Sequence, residues 1–179
     1  MFGMWASGAE VLNAPAQESF PAPPAERALI YTVDRENKLT PLPFEAGTTP
    51  LRIETVAGSD KKSYVELKGE RAATLIENDS PRFYLFVPDQ ANVHPPLIVR
   101  LTPRRGARRL TAMAQRGQRG FAVASEEIIK PHYRVLARAD GMLFMEVRPR
   151  QSLLPGEYAI IGSDLARIAT FSVVAASNP

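Results

Sequence analysis

The sequence predicts an all-β protein, a single antiparallel β-sandwich with a barrel as the alternative that the same strand pattern allows, and three observations predict it. The apolar runs are roughly five to eight residues long, shorter than a helix would show. Turn residues separate them about every 8 to 14 positions. The chain closes on Leu153-Leu154-Pro155-Gly156-Glu157-Tyr158-Ala159-Ile160-Ile161 and then Ile168-Ala169-Thr170-Phe171-Ser172-Val173-Val174, a Pro-Gly turn and two apolar runs joined by a polar loop.

Residues 1–27 come first, as a flexible, Pro-rich extended segment. They open on a short apolar piece and reach Ala14-Pro15-Ala16, a small-residue pattern like that before a signal-peptidase cut. The positively charged start is missing and Glu10 interrupts the apolar part, so two readings stand: the tail of an export signal, or an ordinary terminus. Pro15, Pro21, Pro23 and Pro24, with alanines between them, make an extended tether in either case.

The sandwich domain is expected over 28–174, followed by a C-terminal tail, 175–179. Its candidate strands are Ala28–Val33, Lys38–Pro43, Leu51–Val56, Ser63–Lys68, Ala72–Glu77, Phe83–Val87, Leu97–Leu101, Arg108–Ala114, Gly120–Ala124, His132–Ala137, Met142–Arg148, Glu157–Ile161 and Ile168–Val174. Between them lie the turn formers: Glu36-Asn37, Ala57-Gly58-Ser59-Asp60, Asn78-Asp79-Ser80-Pro81, Arg104-Arg105-Gly106, Arg116-Gly117-Gln118-Arg119-Gly120 and Ala139-Asp140-Gly141. Asp140-Gly141 between two apolar runs is the strongest hairpin signal.

In Ser63–Lys68 the apolar Val65 and Leu67 alternate with Tyr64, Glu66 and Lys68, the pattern of a sheet with one wet face. Phe83-Tyr84-Leu85-Phe86-Val87 is apolar throughout, as a central strand buried on both faces would be. One short helix, a single turn at most, is expected at Ser125–Lys130. Ser125 would cap it, Glu126 and Glu127 fall in its first turn, and Pro131 stops it. Ile128 and Ile129 would then lid one end of the sandwich.

A chain of 179 residues has room for one such domain. With 45% hydrophobic and 23% charged residues it is too polar for a helical membrane protein, and no run approaches the ~20 apolar residues of a spanning helix. Cysteine is absent, which excludes disulfides, thiolate metal sites and cysteine nucleophiles.

Three features together resemble an exported bacterial β-sandwich protein of unknown function. They are Ile30-Tyr31-Thr32-Val33 leading to Leu39-Thr40-Pro41-Leu42, the Pro81-Arg82-Phe83 strand start, and the closing Leu-Leu-Pro-Gly-Glu-Tyr-Ala turn. The segment Leu154-Pro155-Gly156-Glu157-Tyr158 also resembles the turn before the penultimate strand of immunoglobulin-like and fibronectin-type folds. That resemblance implies an immunoglobulin-like sandwich in which Tyr158 is structural, its hydroxyl bonding back to backbone at a corner. The departures are the missing cysteine pair and a single tryptophan, Trp5, that lies in the tail.

Charge is concentrated in one place. Arg100, Arg104, Arg105, Arg108, Arg109, Arg116 and Arg119 fall within 90–125 with no acidic residue among them, while the whole chain is only +3. Arginine suits bidentate binding of phosphate, sulfate or carboxylate. Arg104, Arg105, Arg108, Arg109, Arg116 and Arg119 are therefore the candidate anion- or partner-binding residues, for a protein partner or an anionic envelope surface. Nucleic acid is the second choice, because no aromatic precedes Phe121 to stack on bases and no basic helix is in view. The plainer reading is a solvated, edge-protecting hairpin.

No catalytic constellation emerges. His94 and His132 both adjoin prolines and lack metal-pair spacing; Glu126 and Glu127 are adjacent, so their side chains diverge; the aspartates stand singly in turns. Nucleophile elbow, phosphate loop and dinucleotide fingerprints are missing. The expectation is a non-catalytic, exported binding or structural module of a bacterial envelope or extracellular assembly, without cofactor or metal, periplasmic or extracellular. Nucleic-acid or polyanion binding through 100–119 is the alternative function, and the cytoplasm the alternative compartment.

Overall fold

The protein is described here by a computed structural model covering residues 20–34, 36–45, 52–54, 62–114, 121–163 and 167–174. The expected turns at 57–60 and 116–120, the Ala14-Pro15-Ala16 pattern and Trp5 lie outside these residues. The strands in chain order are β1 (Ile30–Val33), β2 (Leu39–Leu42), β3 (Arg52–Glu54), β4 (Lys62–Lys68), β5 (Leu75–Ile76), β6 (Phe83–Pro88), β7 (Leu97–Arg100), β8 (Thr102–Arg104), β9 (Ala107–Ala114), β10 (Phe121–Val123), β11 (Ile128–Ile129), β12 (Pro131–Ala139), β13 (Met142–Pro149), β14 (Gly156–Ile161) and β15 (Ile168–Val173). All are antiparallel to their neighbours except β5, which runs parallel to β15.

The all-β expectation holds in a sandwich-like arrangement, although the strands form three sheets rather than two. The first has the order β12-β13-β6-β1-β2, the second β11-β7-β14-β15-β5, and the third β10-β9-β4-β3 with β8 also paired to β9. The two-residue periodicity of the middle strands explains the layering. In β14, Tyr158 and Ile160 join the core shared with Phe83, Leu85, Met145 and Val147 of the first sheet. Their neighbours Ala159 and Ile161 join the core shared with Val65, Leu67 and Leu110 of the third. The middle sheet is thus covered on both faces, so Ile168–Val173 is buried throughout and Gly156–Ile161 is buried at every position but Gly156. Burying each large side chain of these cores contributes about 1.5–3 kcal/mol.

Strand β6 is buried on both faces, as its unbroken apolar run predicts. Leu85 faces the middle sheet, and Tyr84 and Phe86 face outward into a cluster with Tyr31 and Phe144. Asp140 and Gly141, at φ 52° and 69°, make the expected tight turn between β12 and β13, a conformation that suits Asp and Gly.

Two local expectations are corrected. The helix expected at Ser125–Lys130 is a 3-10 turn at Ser125–Glu127, after which Ile128 and Ile129 pair with Val99 and Ile98 as an edge strand instead of lidding one end. A run of two β-branched residues fits the pleat better than a second helical turn. The turn expected at Arg104–Gly106 is narrower: Arg104 ends β8, and Arg105 and Gly106 make the turn, with Gly106 at φ 74°.

Candidate functional site

The hairpin β8–β9 carries four of the arginines named from the sequence, and strand parity divides them. Arg104 and Arg105 lie at its exposed tip. Arg109 points out of the third sheet, where its Nε donates to Glu66 Oε2 at 2.8 Å and its guanidinium lies 5.5 Å from the Tyr64 ring centre. Arg108, one residue earlier, points inward and is 1% exposed. Arg116 and Arg119 lie outside the described residues.

Arg108 reaches from the third sheet into the middle one. Its Nε donates to Gly69 O (3.0 Å), Nη1 to Thr170 Oγ1 (2.8 Å), and Nη2 to Lys68 O (2.8 Å) and Glu45 Oε1 (3.0 Å). Glu157 Oε2 stands 4.0 Å from Nη1. Thr170 Oγ1 also bonds Glu45. Glu157 in turn accepts from Ser172 Oγ at 2.5 Å and from the Ala72 backbone N–H at 2.8 Å. A buried guanidinium needs its donors matched, and four of its five N–H groups have partners here. Arg108 is therefore a clamp between sheets, withdrawn from any external anion.

The acidic and hydroxyl members of this cluster escaped the sequence reading, although the signal was present. Thr170 and Ser172 share the parity of Ile168, and Glu157 stands opposite Ser172 in register. A polar stripe of period two on a strand otherwise apolar marks a buried partner of opposite character.

The remaining titratable groups named from the sequence lie outside this cluster. Glu127 Oε2 accepts from the Thr111 N–H at 2.7 Å and Oε1 from Thr111 Oγ1 at 2.9 Å, pinning the 3-10 turn to β9. Burial pushes its carboxyl above the usual carboxylate value, with Glu126 adding to the rise and the Thr111 bonds opposing it. His132 is exposed on β12 beside Arg148, its register partner, and His94 is exposed in the β6–β7 connection. Tyr158 Oη donates to Leu154 O at 2.7 Å, the backward bond that the immunoglobulin-like resemblance implies. Burial raises the Tyr158 hydroxyl above its usual value, and nearby Arg100 partly offsets this.

Three exposed large apolar side chains stand at one edge of the middle sheet, while a fourth, Val135, is exposed on β12 of the first sheet. Strand β5 ends the sheet order, with Thr74 O accepting from Ser172 N–H of β15, Ile76 O from Val174 N–H just after it, and no strand on its other side among the described residues. Leu75 is 63% exposed, and Leu154 (66%) and Val174 (38%) stand nearby. Two adjoining grooves of about 560 and 540 Å³ share Glu77, Asn78 and Val174 there.

Among the described residues, no helix is long and apolar enough to cross a membrane. No group of three or more His, Asp or Glu side chains within those residues comes together as a metal site. Comparison with known proteins finds no matching family model, no similar curated protein and no similar solved structure.

Proposed function

We propose that this protein is a non-catalytic binding module of an exported, immunoglobulin-like sandwich type, which contacts a protein partner through the open edge of β5. The observation that carries the reading is the apolar, unpaired edge itself: Leu75, Leu154 and Val174 exposed beside a strand with one free side among the described residues. Native proteins blunt such edges with short strands, charge, proline or cover; β5 is short, at two residues, but carries exposed Leu75 in place of a charge. An extended partner segment adding to β5 would gain backbone hydrogen bonds from the edge and seat alternate side chains in the flanking grooves. The proline-rich leader with its Ala14-Pro15-Ala16 pattern supports a place in a bacterial envelope or extracellular assembly.

The test is site-specific photo-crosslinking in cells producing the full chain, with the probe at Leu75 and, as control, at exposed Lys68 on β4. The reading expects a discrete adduct from position 75 that is absent from position 68, recovered from the envelope fraction. Equal adduct patterns at both positions would refute it.

Polyanion binding is the second reading, favoured by Arg104 and Arg105 exposed side by side at the β8–β9 tip. Of the described hairpin arginines it rests on these two, since Arg108 is enclosed and Arg109 is paired with Glu66, while Arg100 is exposed at the end of β7.

A further inference from the structure

The outer face of the first sheet carries a second surface, unrelated to the β5 edge. Cross-strand register lines up Arg134, Glu146, Tyr84 and Tyr31 in one row across β12, β13, β6 and β1. In the next row Ala137, Phe144 and Phe86 are aligned. An outer face would ordinarily be wet, yet Tyr84 and Glu146 are 0% and 2% exposed, with the Tyr84 hydroxyl 2.7 Å from Glu146 Oε2.

The chain's own residues 20–28, Phe-Pro-Ala-Pro-Pro-Ala-Glu-Arg-Ala, supply cover for that face. Phe20 lies under the Arg134 guanidinium, 4.2 Å from the ring centre, at the β12 end of the row. Glu26 O accepts from Tyr31 Oη at 2.8 Å at the β1 end. Arg27 closes the strap: its guanidinium stands 5.4 Å from the Phe86 ring centre and 2.8 Å from Asp140 Oδ2. The lengths agree. Three strand spacings of ~4.8 Å make about 14 Å, and the six steps from Phe20 to Glu26 at ~3.1 Å each reach about 19 Å in a proline-rich extended chain. Prolines at 21, 23 and 24 fix φ in advance and lower the entropy lost on docking.

The fit is incomplete in a way that bears on function. A cavity of about 260 Å³ remains between Pro23 and Pro24 above and Phe86 and Phe144 below. The Arg27–Asp140 pair that fastens the strap is solvent-exposed on both sides, and such pairs hold weakly.

From this we infer that the first sheet is a docking platform for proline-rich extended segments, and that residues 20–28 are its resident, displaceable occupant. The external occupant is a proline-rich segment of a partner protein, with an aromatic residue to meet Arg134 and a bulkier side chain than the strap offers to fill the space above Phe86 and Phe144. Aromatic-floored grooves recognise such segments because the extended conformation is already formed. Competition within the chain would lower the apparent affinity for an external segment by the fraction of time that the strap is away.

The test uses the full chain and a fluorescent peptide of residues 18–28. In the double variant Phe20→Ser/Arg27→Ala the strap loses both of its side-chain anchors and keeps the Glu26 carbonyl bond to Tyr31, and the peptide is expected to bind at least ~10-fold more tightly than to the wild type. Adding Ala137→Arg to fill the cavity should abolish that binding, as should replacing the peptide's prolines with serine. Equal affinity for wild type and double variant overturns the proposal, and so does equal binding of the serine peptide. A double variant that instead dimerises by exchanging straps, with excess peptide failing to dissociate it, also overturns it, since the occupant is then a second copy. Should the double variant not fold, NMR of the wild type decides: millimolar peptide shifts the signals of Ala137, Phe144 and Phe86, or the platform does not exist.

Discussion

The Tyr158 hydroxyl donates to Leu154 O at 2.7 Å, tying the start of the penultimate strand back across the Pro155-Gly156 turn. The ring itself lies between sheets, 5.6 Å centre to centre from Phe171. Tyr158→Phe keeps the packing and removes only the bond, leaving a half-buried carbonyl unmatched. Urea denaturation should show a loss of about 1–2 kcal/mol, with the m-value unchanged. An unaltered midpoint would mean that the corner is held by packing alone.

Glu157 has two close hydrogen-bond donors, Ser172 Oγ and the Ala72 N–H, as well as the Arg108 charge at 4.0 Å. Removing the carboxylate unsatisfies all three, whereas Ser172→Ala leaves the backbone bond and the charge in place. Glu157→Ala should lose about 3 kcal/mol or more and Ser172→Ala about 1 kcal/mol. The order of the two midpoints is the check.

Glu127 gives the stability a pH dependence. Its folded-state carboxyl titrates above the ordinary value, chiefly through burial, so the native state holds the proton after the unfolded chain has released it. Stability contributed by the protonated form is therefore complete below the unfolded value of ~4.3 and is lost as pH rises through the higher folded value. Thermal melts of the wild type should fall relative to Glu127→Gln across that window. Parallel curves would contradict the assignment.

Arg104 and Arg105, exposed at the β8–β9 tip, test the polyanion reading. Arg104→Ala/Arg105→Ala should leave the melting temperature unchanged. If polyanion binding occurs through them, heparin or DNA affinity should fall and the slope of log affinity against log salt should drop by about 2, near one for each phosphate or sulfate no longer neutralised. Retention unchanged by the substitutions removes this reading.

Much of the strand order was legible because the signals are local. Phe83–Val87 contains no polar residue to put a face in water, and Asp140-Gly141 admits the positive φ of a tight turn. The third sheet was not legible. Tyr64 to Lys68 alternates in the way either a two-layer or a three-layer protein requires, and only the distant pairing of β4 with β9 decides between them. At the candidate site, residue type suggested one arginine cluster, whereas parity separates it: Arg108 shares the face of Leu110, and Arg109 that of Thr111. The partners of Arg108 come from residues 45, 68, 69 and 170, a convergence that no local pattern reports.

The central claim is that adjacent arginines on one strand do opposite jobs, Arg108 holding two sheets together and Arg109 lying on the surface. Guanidinium denaturation of Arg108→Ala and Arg109→Ala measures it directly. Removing Arg108 strands Glu45 and Glu157 without their cation and should lose about 3–5 kcal/mol. Removing Arg109 breaks a part-exposed pair with Glu66 and its packing over the Tyr64 ring, for a loss of about 1 kcal/mol. Equal losses, or a larger loss at Arg109, would contradict the account.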